Sequence, residues 1–334
     1  PELYKLCMQR MVIEAGVDMY MHSYLSGCTM GENGEVVSIV FENKNGTEAL
    51  ESKLFIDCTG DADLAAMAGV PMQEQNGEPL QPLSTYFVLA GVDTASSLVN
   101  EAMHHNKQGE NCHCLPIREY LLEHAAELDI PEFGGPWFCT TLHDGCVAVN
   151  MTRTEGNACD NRDYTAAECR LREDVYRMAE ILRNNFKEFE NCYVSAVATQ
   201  AGIRETRRIK GVHTMTADEY ISGYRYEDSI SRGAHPIDIH ATNGNKQSIH
   251  FLEQAAYVPY RALIADDFPN LLVAGRAISA DRKAFASMRV QASCMGTGQA
   301  AGVAAAMCAK CGCGVKSVDI DALVKKLREI GAQI

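Results

Sequence analysis

The sequence predicts an α/β protein in which two α/β segments flank an inserted α+β segment. Three observations carry this. Residues 54–58 (LFIDC) and 270–274 (NLLVA) are short apolar runs that each lead into a glycine, as the strands of parallel α/β units do. Asn-Gly pairs at 33–34 and 45–46 mark tight turns of an antiparallel meander. From Gly91 the texture changes, and residues 109–150 are rich in Gly, Pro, Cys and His. The expected organisation is 1–90, 91–257 as an insertion, and 258–334.

The elements follow in order. Leu3, Leu6, Met11 and Ile13 fall near one face of a first amphipathic helix. A strand is expected over 17–24. A second has Val37, Ile39 and Phe41 alternating with Ser38, Val40 and Glu42, and a third spans 47–53. Residues 63–68 read as a helix after the 54–58 strand. Helices are expected at 94–106 and 117–128. A long helix starts near Thr165, where Thr165 and Glu168 fit a capping box. Leu171, Val175, Met178 and Leu182 give it a stripe that reads as packed core. Residues 294–308 form a Gly/Ala-rich helix preceded by a loop.

Composition narrows the function. The chain has 334 residues and a formal net charge of −14. Such a charge disfavours nucleic acid and anionic membrane as partners. No apolar run approaches the ~20 residues of a spanning helix. Without an export signal, the 14 cysteines read as reduced thiols of a cytoplasmic protein. The clusters Cys112-His113-Cys114 and Cys308, Cys311, Cys313 lack a second ligand pair at zinc spacing, and no metal is expected.

Three stretches carry candidate chemistry. Gly296-Thr297-Gly298-Gln299-Ala300 places glycines where backbone can approach a ligand and reads as a helix N-terminus with free N–H donors; close helix–sheet packing is the competing reading. Gly275-Arg276 ends a buried strand, where α/β folds bind ligands and Arg suits phosphate or carboxylate; the alternative is a surface ion pair. Thr59-Gly60-Asp61 ends another strand, and Asp61 either accepts from a sugar hydroxyl or caps the next helix. Arg204, Arg207 and Arg208 flank Glu205. On a strand, Arg204 and Thr206 would face one way and Glu205 and Arg207 the other; one or two of the arginines contact a carboxylate or a cofactor, or the run is a domain-interface ion-pair network. His240 follows Asp238 as a proton donor oriented by a carboxylate or as a structural histidine.

Collectively, IDCTGDADLAAMAG (56–69), VNMTR (149–153), GIRETRRIKG (202–211), PIDIH (236–240), VPYRALI (258–264), LLVAGRAIS (271–279) and SMRVQASCMGTGQAAG (287–302) resemble the FAD-dependent oxidoreductases of the glutathione-reductase-like flavoprotein fold. The resemblance covers nearly the whole chain. It implies an FAD/NAD(P)-binding three-layer fold with the 91–257 insertion as substrate or cap domain, FAD as cofactor, and hydride transfer between flavin N5 and a small organic substrate. It places Thr59, Gly60 and Asp61 along the FAD, and Gly275 and Arg276 at the pyrophosphate and ribityl chain. Gly296, Thr297, Gly298, Gln299 and Ala300 lie by the isoalloxazine, to which Gly298, Gln299 and Ala300 present N–H donors; Leu25 contacts adenine. Arg289, just before that helix, is where carboxylate-acting relatives hold substrate, so Arg289, Arg204 and His240 are the catalytic candidates.

Two departures stand out. The GxGxxG fingerprint and its strand–helix unit are absent from the chain, so the fold is expected to be incomplete at its N-terminal end. The alternative reading is a non-catalytic fragment or binding module unable to hold FAD. Second, Asp281-Arg282 stands where relatives often carry a His.

Overall fold

The computed structural model describes residues 2–75, 77–104, 114–241 and 247–334. Helix α1 (Glu2–Glu14) forms, but Leu3, Leu6, Met11 and Ile13 are all exposed. The meander follows as β1 (Tyr24–Met30), β2 (Val36–Asn43) and β3 (Gly46–Glu51), paired in that order. The first strand starts where it was expected to end. The turn at Asn33-Gly34 is the reason: a tight turn pairs the segments directly flanking it, and Gly31 N–H donates to the Glu35 carbonyl at 2.8 Å, so β1 must run up to that loop. On β2 the inward set is Val36, Ser38 and Phe41, with Val37 exposed. The expected phase is therefore wrong at the start of this strand, beside a register shift on β1 between Thr29 and Met30.

Next come β4 (Phe55–Asp57) and α2 (Asp63–Met67). A four-stranded antiparallel sheet has order β6-β7-β5-β8, from β5 (Phe87–Ala90), β6 (Phe133–Thr140), β7 (Cys146–Thr152) and β8 (Tyr193–Val197). Packed with it are α3 (Ser97–His104), α4 (Leu115–Glu123) and α5 (Asn161–Asn185). The stripe on α5 behaves as its spacing dictates, with Leu171, Val175, Met178 and Leu182 all fully buried. Its start differs from expectation. Asp160 caps the helix, accepting from the N–H groups of Arg162 and Asp163. Thr165 lies a turn inside and donates back to the Asn161 carbonyl at 2.6 Å. Glu168 instead accepts from the Ala201 N–H at 2.6 Å. Asp160 wins because an Asp side chain just ahead of the first free N–H groups satisfies two of them at once.

The chain then forms α6 (Ala217–Ile221), β9 (Ser229–Gly233), a hairpin of β10 (Ile237–His240) and β11 (Gln247–His250), and β12 (Ala256–Pro259), which pairs with β9. It ends with β13 (Leu271–Val273), α7 (Arg282–Met288), α8 (Gln291–Cys311) and α9 (Ile320–Glu329). The two predicted α/β strands meet as a parallel pair, Leu271 opposite Phe55 and Val273 opposite Asp57. One core joins Tyr220, Ile230, Ile237 and Ala256 to Phe285, Ala300 and Leu323.

The cysteines are not all reduced: Cys311 and Cys313 form a disulfide, because two positions past the end of α8 the chain folds back and brings their Cα atoms to 5.4 Å. Among the described residues no helix is long and apolar enough to cross a membrane. Asp160→Ala is expected to cost about 1 kcal/mol in urea unfolding, whereas Thr165→Ala, at an exposed position, should change stability by less than about 0.5 kcal/mol. Equal losses would contradict the observed helix start.

Candidate flavin and substrate site

The site is built on the carboxyl ends of β4 and β13. Asp57, which sequence reasoning missed, is buried at the end of β4. Its Oδ1 accepts from the Thr59 N–H (2.9 Å) and hydroxyl (2.7 Å), and its Oδ2 from the Ala65 N–H (2.9 Å). One carboxylate thus clamps the whole strand–turn–helix corner. Thr59 passes the order on by accepting from the Asp63 N–H at 2.9 Å. Gly60 has φ +87°, and a Cβ there would lie 2.7 Å from the Arg276 guanidinium. Asp61 does not cap α2, whose N-cap is Ala62 in the left-handed region. It accepts from Arg276 at 2.7 Å and from the Thr206 hydroxyl. Arg276 keeps a buried Nε with no partner among the described residues. Gly275 has φ +83° and open space where a Cβ would be. Leu25 sits on the edge strand β1 opposite Phe41.

Helix α8 requires a correction. It begins at Gln291, with Val290 extended as its cap, and the Cys294 N–H already bonds the Val290 carbonyl at 3.0 Å. The free N–H groups are therefore those of residues 291–293. Gly298, Gln299 and Ala300 lie in the third turn, where backbone N–H groups bond within the helix, and they offer no donors to a ligand. The glycines that suggested a helix start have other uses. A Cβ on Gly296 would lie 2.2 Å from the Ser231 hydroxyl, so this glycine lets α8 pack on β9. Gly298 faces open space, Gln299 is exposed and Ala300 is core. Thr297 is buried and ties the two halves of the site: its hydroxyl accepts from the Gly275 N–H (3.0 Å) and donates to the Cys294 carbonyl (2.9 Å).

Immediately before α8 lies a buried cationic cluster. Arg289, Arg204 and His240 do come together, around Asp238, with Arg153 and Gln81 added by the fold. Arg289 donates to the Asp238 carbonyl at 3.2 Å and to Gln81 Oε1 at 3.4 Å. Arg204 donates to the Pro82 carbonyl at 2.7 Å. The His240 N–H donates to Gln81 Oε1 at 3.3 Å. His240 Nδ1 lies 2.7 Å from Arg153 Nη2, and its Nε2 lies 2.9 Å from Asp238 Oδ2. Arginine can only donate. Nδ1 therefore accepts, the proton sits on Nε2, and Nε2 donates to Asp238. Both ring nitrogens are engaged, so His240 positions Arg153 rather than offering a free proton, which corrects the expected proton-donor role.

The segment around Arg204 is irregular rather than a strand: Arg204, Glu205, Thr206 and Arg208 are all buried, without alternation. Ion pairs decide this. Glu205 takes Arg208 at 2.7 Å and Arg282 at 3.3 Å, Arg208 lies 4.7 Å above the Phe285 ring, and Arg207 pairs with Asp63. Asp281 caps α7 through the Ala284 N–H at 2.8 Å, and Arg282 pairs with Glu78 at 2.6 Å. These two residues thus serve structure where relatives often carry a His.

Burial governs the charges. It pulls Arg204 down to about 9, helped by Arg289 and Arg153, and Arg153 down to about 10. Burial, with Arg204 and Arg153 alongside, also draws His240 down to about 4 against its bond to Asp238. Asp238 is held at about 2: burial opposes this, but the hydrogen bond from His240, that from Gln247 and the charge of Arg289 outweigh it. Near neutrality the cluster holds three guanidinium groups against one carboxylate and a neutral imidazole. Among the described residues no group of three His, Cys, Asp or Glu is placed to hold a metal; Cys112 and His113 lie outside them.

The family model described as FAD dependent oxidoreductase matches residues 1–327. The chain belongs to that family. Its cofactor is FAD. Solved structures similar to this FAD-dependent oxidoreductase include a triple mutant of the flavin-dependent brominase Bmp2 (10% identity, 98% of this chain and 59% of that one, TM-score 0.41). Others are a geranylgeranyl bacteriochlorophyll reductase-like protein from Thermoplasma acidophilum (12%, 98% and 57%, 0.43) and the aromatic hydroxylase CabE from angucycline biosynthesis (10%, 96% and 44%, 0.42). The chain spans 44% to 59% of the length of these three. No curated protein matched the sequence. The residues present fit FAD at the strand ends: Gly275 leaves a space that any side chain would fill, Arg276 carries a buried donor unpaired among the described residues, and α8 begins with free N–H groups two residues after Arg289.

Gly296→Ala would normally help a helix by ~1 kcal/mol. Here the contact with Ser231 reverses the sign, and a net loss of about 1–2 kcal/mol is expected, relieved when combined with Ser231→Ala. A stabilised Gly296→Ala protein would contradict the packing. The pH dependence follows from His240, whose pKa falls from the ordinary 6.5 to about 4 on folding. Between these values the unfolded chain binds the extra proton, so stability falls as pH drops from 6.5 to 4. Asp174, raised by burial to about 6, acts in the opposite sense over part of that window. His240→Gln isolates the histidine: it should remove up to about 3 kcal/mol of the acid-side slope. Unchanged slopes would contradict the neutral, locked imidazole.

Proposed function

We propose that this chain forms the catalytic body of an FAD-dependent oxidoreductase that passes a hydride between flavin N5 and a small carboxylate-bearing molecule. The carrying observation is the buried cationic cluster at the junction of α7 and α8. Burying uncompensated charge costs several kcal/mol, and an anionic substrate removes that cost. Bound flavin supplies a two-electron hydride acceptor or donor. The chain's own residues do the rest. Gly275 and Arg276 would hold the cofactor's diphosphate and ribityl side, and the free N–H groups of residues 291–293, with the partial positive charge of the helix start, would stabilise negative charge on the reduced flavin. Arg289 and Arg204 bind and orient the substrate carboxylate. His240 and Asp238 fix the geometry of Arg153 and Arg289. The β5–β8 sheet, whose β5 begins at Phe87 ahead of the expected 91–257 insertion, covers the site with α3–α5 and excludes water.

The test is reconstitution. Purified protein incubated with FAD should retain the flavin after gel filtration, with a band near about 450 nm. With an artificial dye as electron acceptor, organic acids should reduce that flavin, and Arg289→Gln should raise KM for them by at least about tenfold. A protein that stays colourless would overturn the proposal in favour of a binding module that cannot hold FAD.

A further inference from the structure

We infer that Arg153 and Gln81 form a second anion subsite beside Arg289, so that the site takes a small dicarboxylate rather than a monocarboxylate. The inference rests on the carboxylate reading above and sharpens its substrate class. Arg153 enters at the end of β7 and is 2% exposed. Among the described residues only one of its three nitrogens, Nη2, has partners: His240 Nδ1 at 2.7 Å and Gln247 Oε1 at 3.4 Å. Its Nε and Nη1 are buried with no partner among the described residues. The fold has made room for this group. A Cβ on Gly134 would lie 2.0 Å from the guanidinium, and the Trp137 ring lies 5.7 Å from its carbon.

Gln81 is fully buried as well. Its Oε1 accepts from Arg289 and from the His240 N–H, while its Nε2 has no partner among the described residues. Among the described residues Arg289 Nε is likewise unpartnered. Buried donors without acceptors are uncommon in native proteins, and each is costly. Here they fall into two sets, one at Arg153 and one at Arg289, on either side of the Asp238–His240 pair. Three guanidinium groups against the Asp238 carboxylate leave two positive charges uncompensated. Neighbouring charges do not supply the deficit. Glu205 is taken by Arg208 and Arg282, Asp61 by Arg276, and Glu132 and Arg118 both stand near Arg153 with opposite signs.

Two orphan donor sets and two excess charges match two carboxylates. Planar, forked guanidinium groups also favour carboxylate pairing in a bidentate manner. The β10–β11 pair supplies both described partners of the Arg153 guanidinium, His240 and Gln247. The incoming carboxylate therefore displaces the long Gln247 contact from Arg153.

Calorimetric titration of the purified protein with malonate, succinate and glutarate, against acetate, butyrate and sulfate at matched ionic strength, tests this. At least one dicarboxylate should bind about tenfold or more tighter than every monocarboxylate and sulfate. Arg153→Gln should abolish that preference. Gln81→Glu, which places a carboxylate among the orphan donors, should abolish dicarboxylate binding and raise Tm. Equal affinities for mono- and dicarboxylates, equal binding of sulfate, or a preference that survives Gln81→Glu would overturn the inference; the last outcome decides the matter even if Arg153→Gln fails to fold. Flavin retention is read separately. A yellow protein without the preference loses only this inference, and a colourless one that keeps it loses only the flavin reading.

Discussion

Everything at this site depends on one short interaction, the parallel pairing of β4 with β13. Three residues on each side, Phe55–Asp57 and Leu271–Val273, join parts of the chain more than two hundred residues apart. Closing so long a loop is entropically unfavourable, and three ladder positions alone would be a weak clasp. Asn270 reinforces it. Its Oδ1 accepts from the Val36 N–H (2.9 Å), its Nδ2 donates to the Val36 carbonyl (2.8 Å), and its own carbonyl accepts from the Phe55 N–H (2.9 Å). One side chain thereby acts as a missing strand residue that fastens the meander to the parallel pair. Asp57 and Thr297 then fix the two glycine corners that the pairing has set side by side.

The second constraint is electrostatic and works against stability. Arg153, Arg204 and Arg289 are packed into the protein around one carboxylate, with His240 kept neutral between Arg153 and Asp238. An apolar core of the same volume would be easier to fold. A site that keeps unpaired donors and excess charge under cover is strained toward an anion, and local rules of stability are most often broken where a protein acts. The position matters as much as the charge: Arg289 closes α7 and α8 opens two residues later, so the cationic cluster and the free end of the helix share one corner.

Much of this was legible in the sequence because it rests on local chemistry. The strands at 54–58 and 270–274, the glycines at their ends and the α5 stripe all follow from short-range pattern. So does the proximity of His240 to Asp238, two residues apart on one face of a strand. What was not legible depends on tertiary contact. Gly296 and Gly298 looked like a helix start, but Gly296 is small because Ser231 lies against it, and nothing local marks Val290 as the true break. Arg153 sat inside a recognised motif with no hint of its role, since the residues that surround it come from β6, β10 and β11. Gln81, in a segment without regular structure, carried no signal at all. The capping of α5 fell to Asp160 rather than Thr165 because a helix begins at the first residue able to satisfy its free N–H groups, and pattern matching chose the second.

The central claim is that FAD lies across the ends of β4 and β13 and against the first turn of α8. Hydrogen–deuterium exchange with and without FAD tests it most directly. Exchange is expected to slow at residues 60–62, 276–277 and 291–293, with residues 298–300 unchanged because their N–H groups are already bonded within the helix. Protection confined to other surfaces, or at residues 298–300 without 291–293, would contradict it.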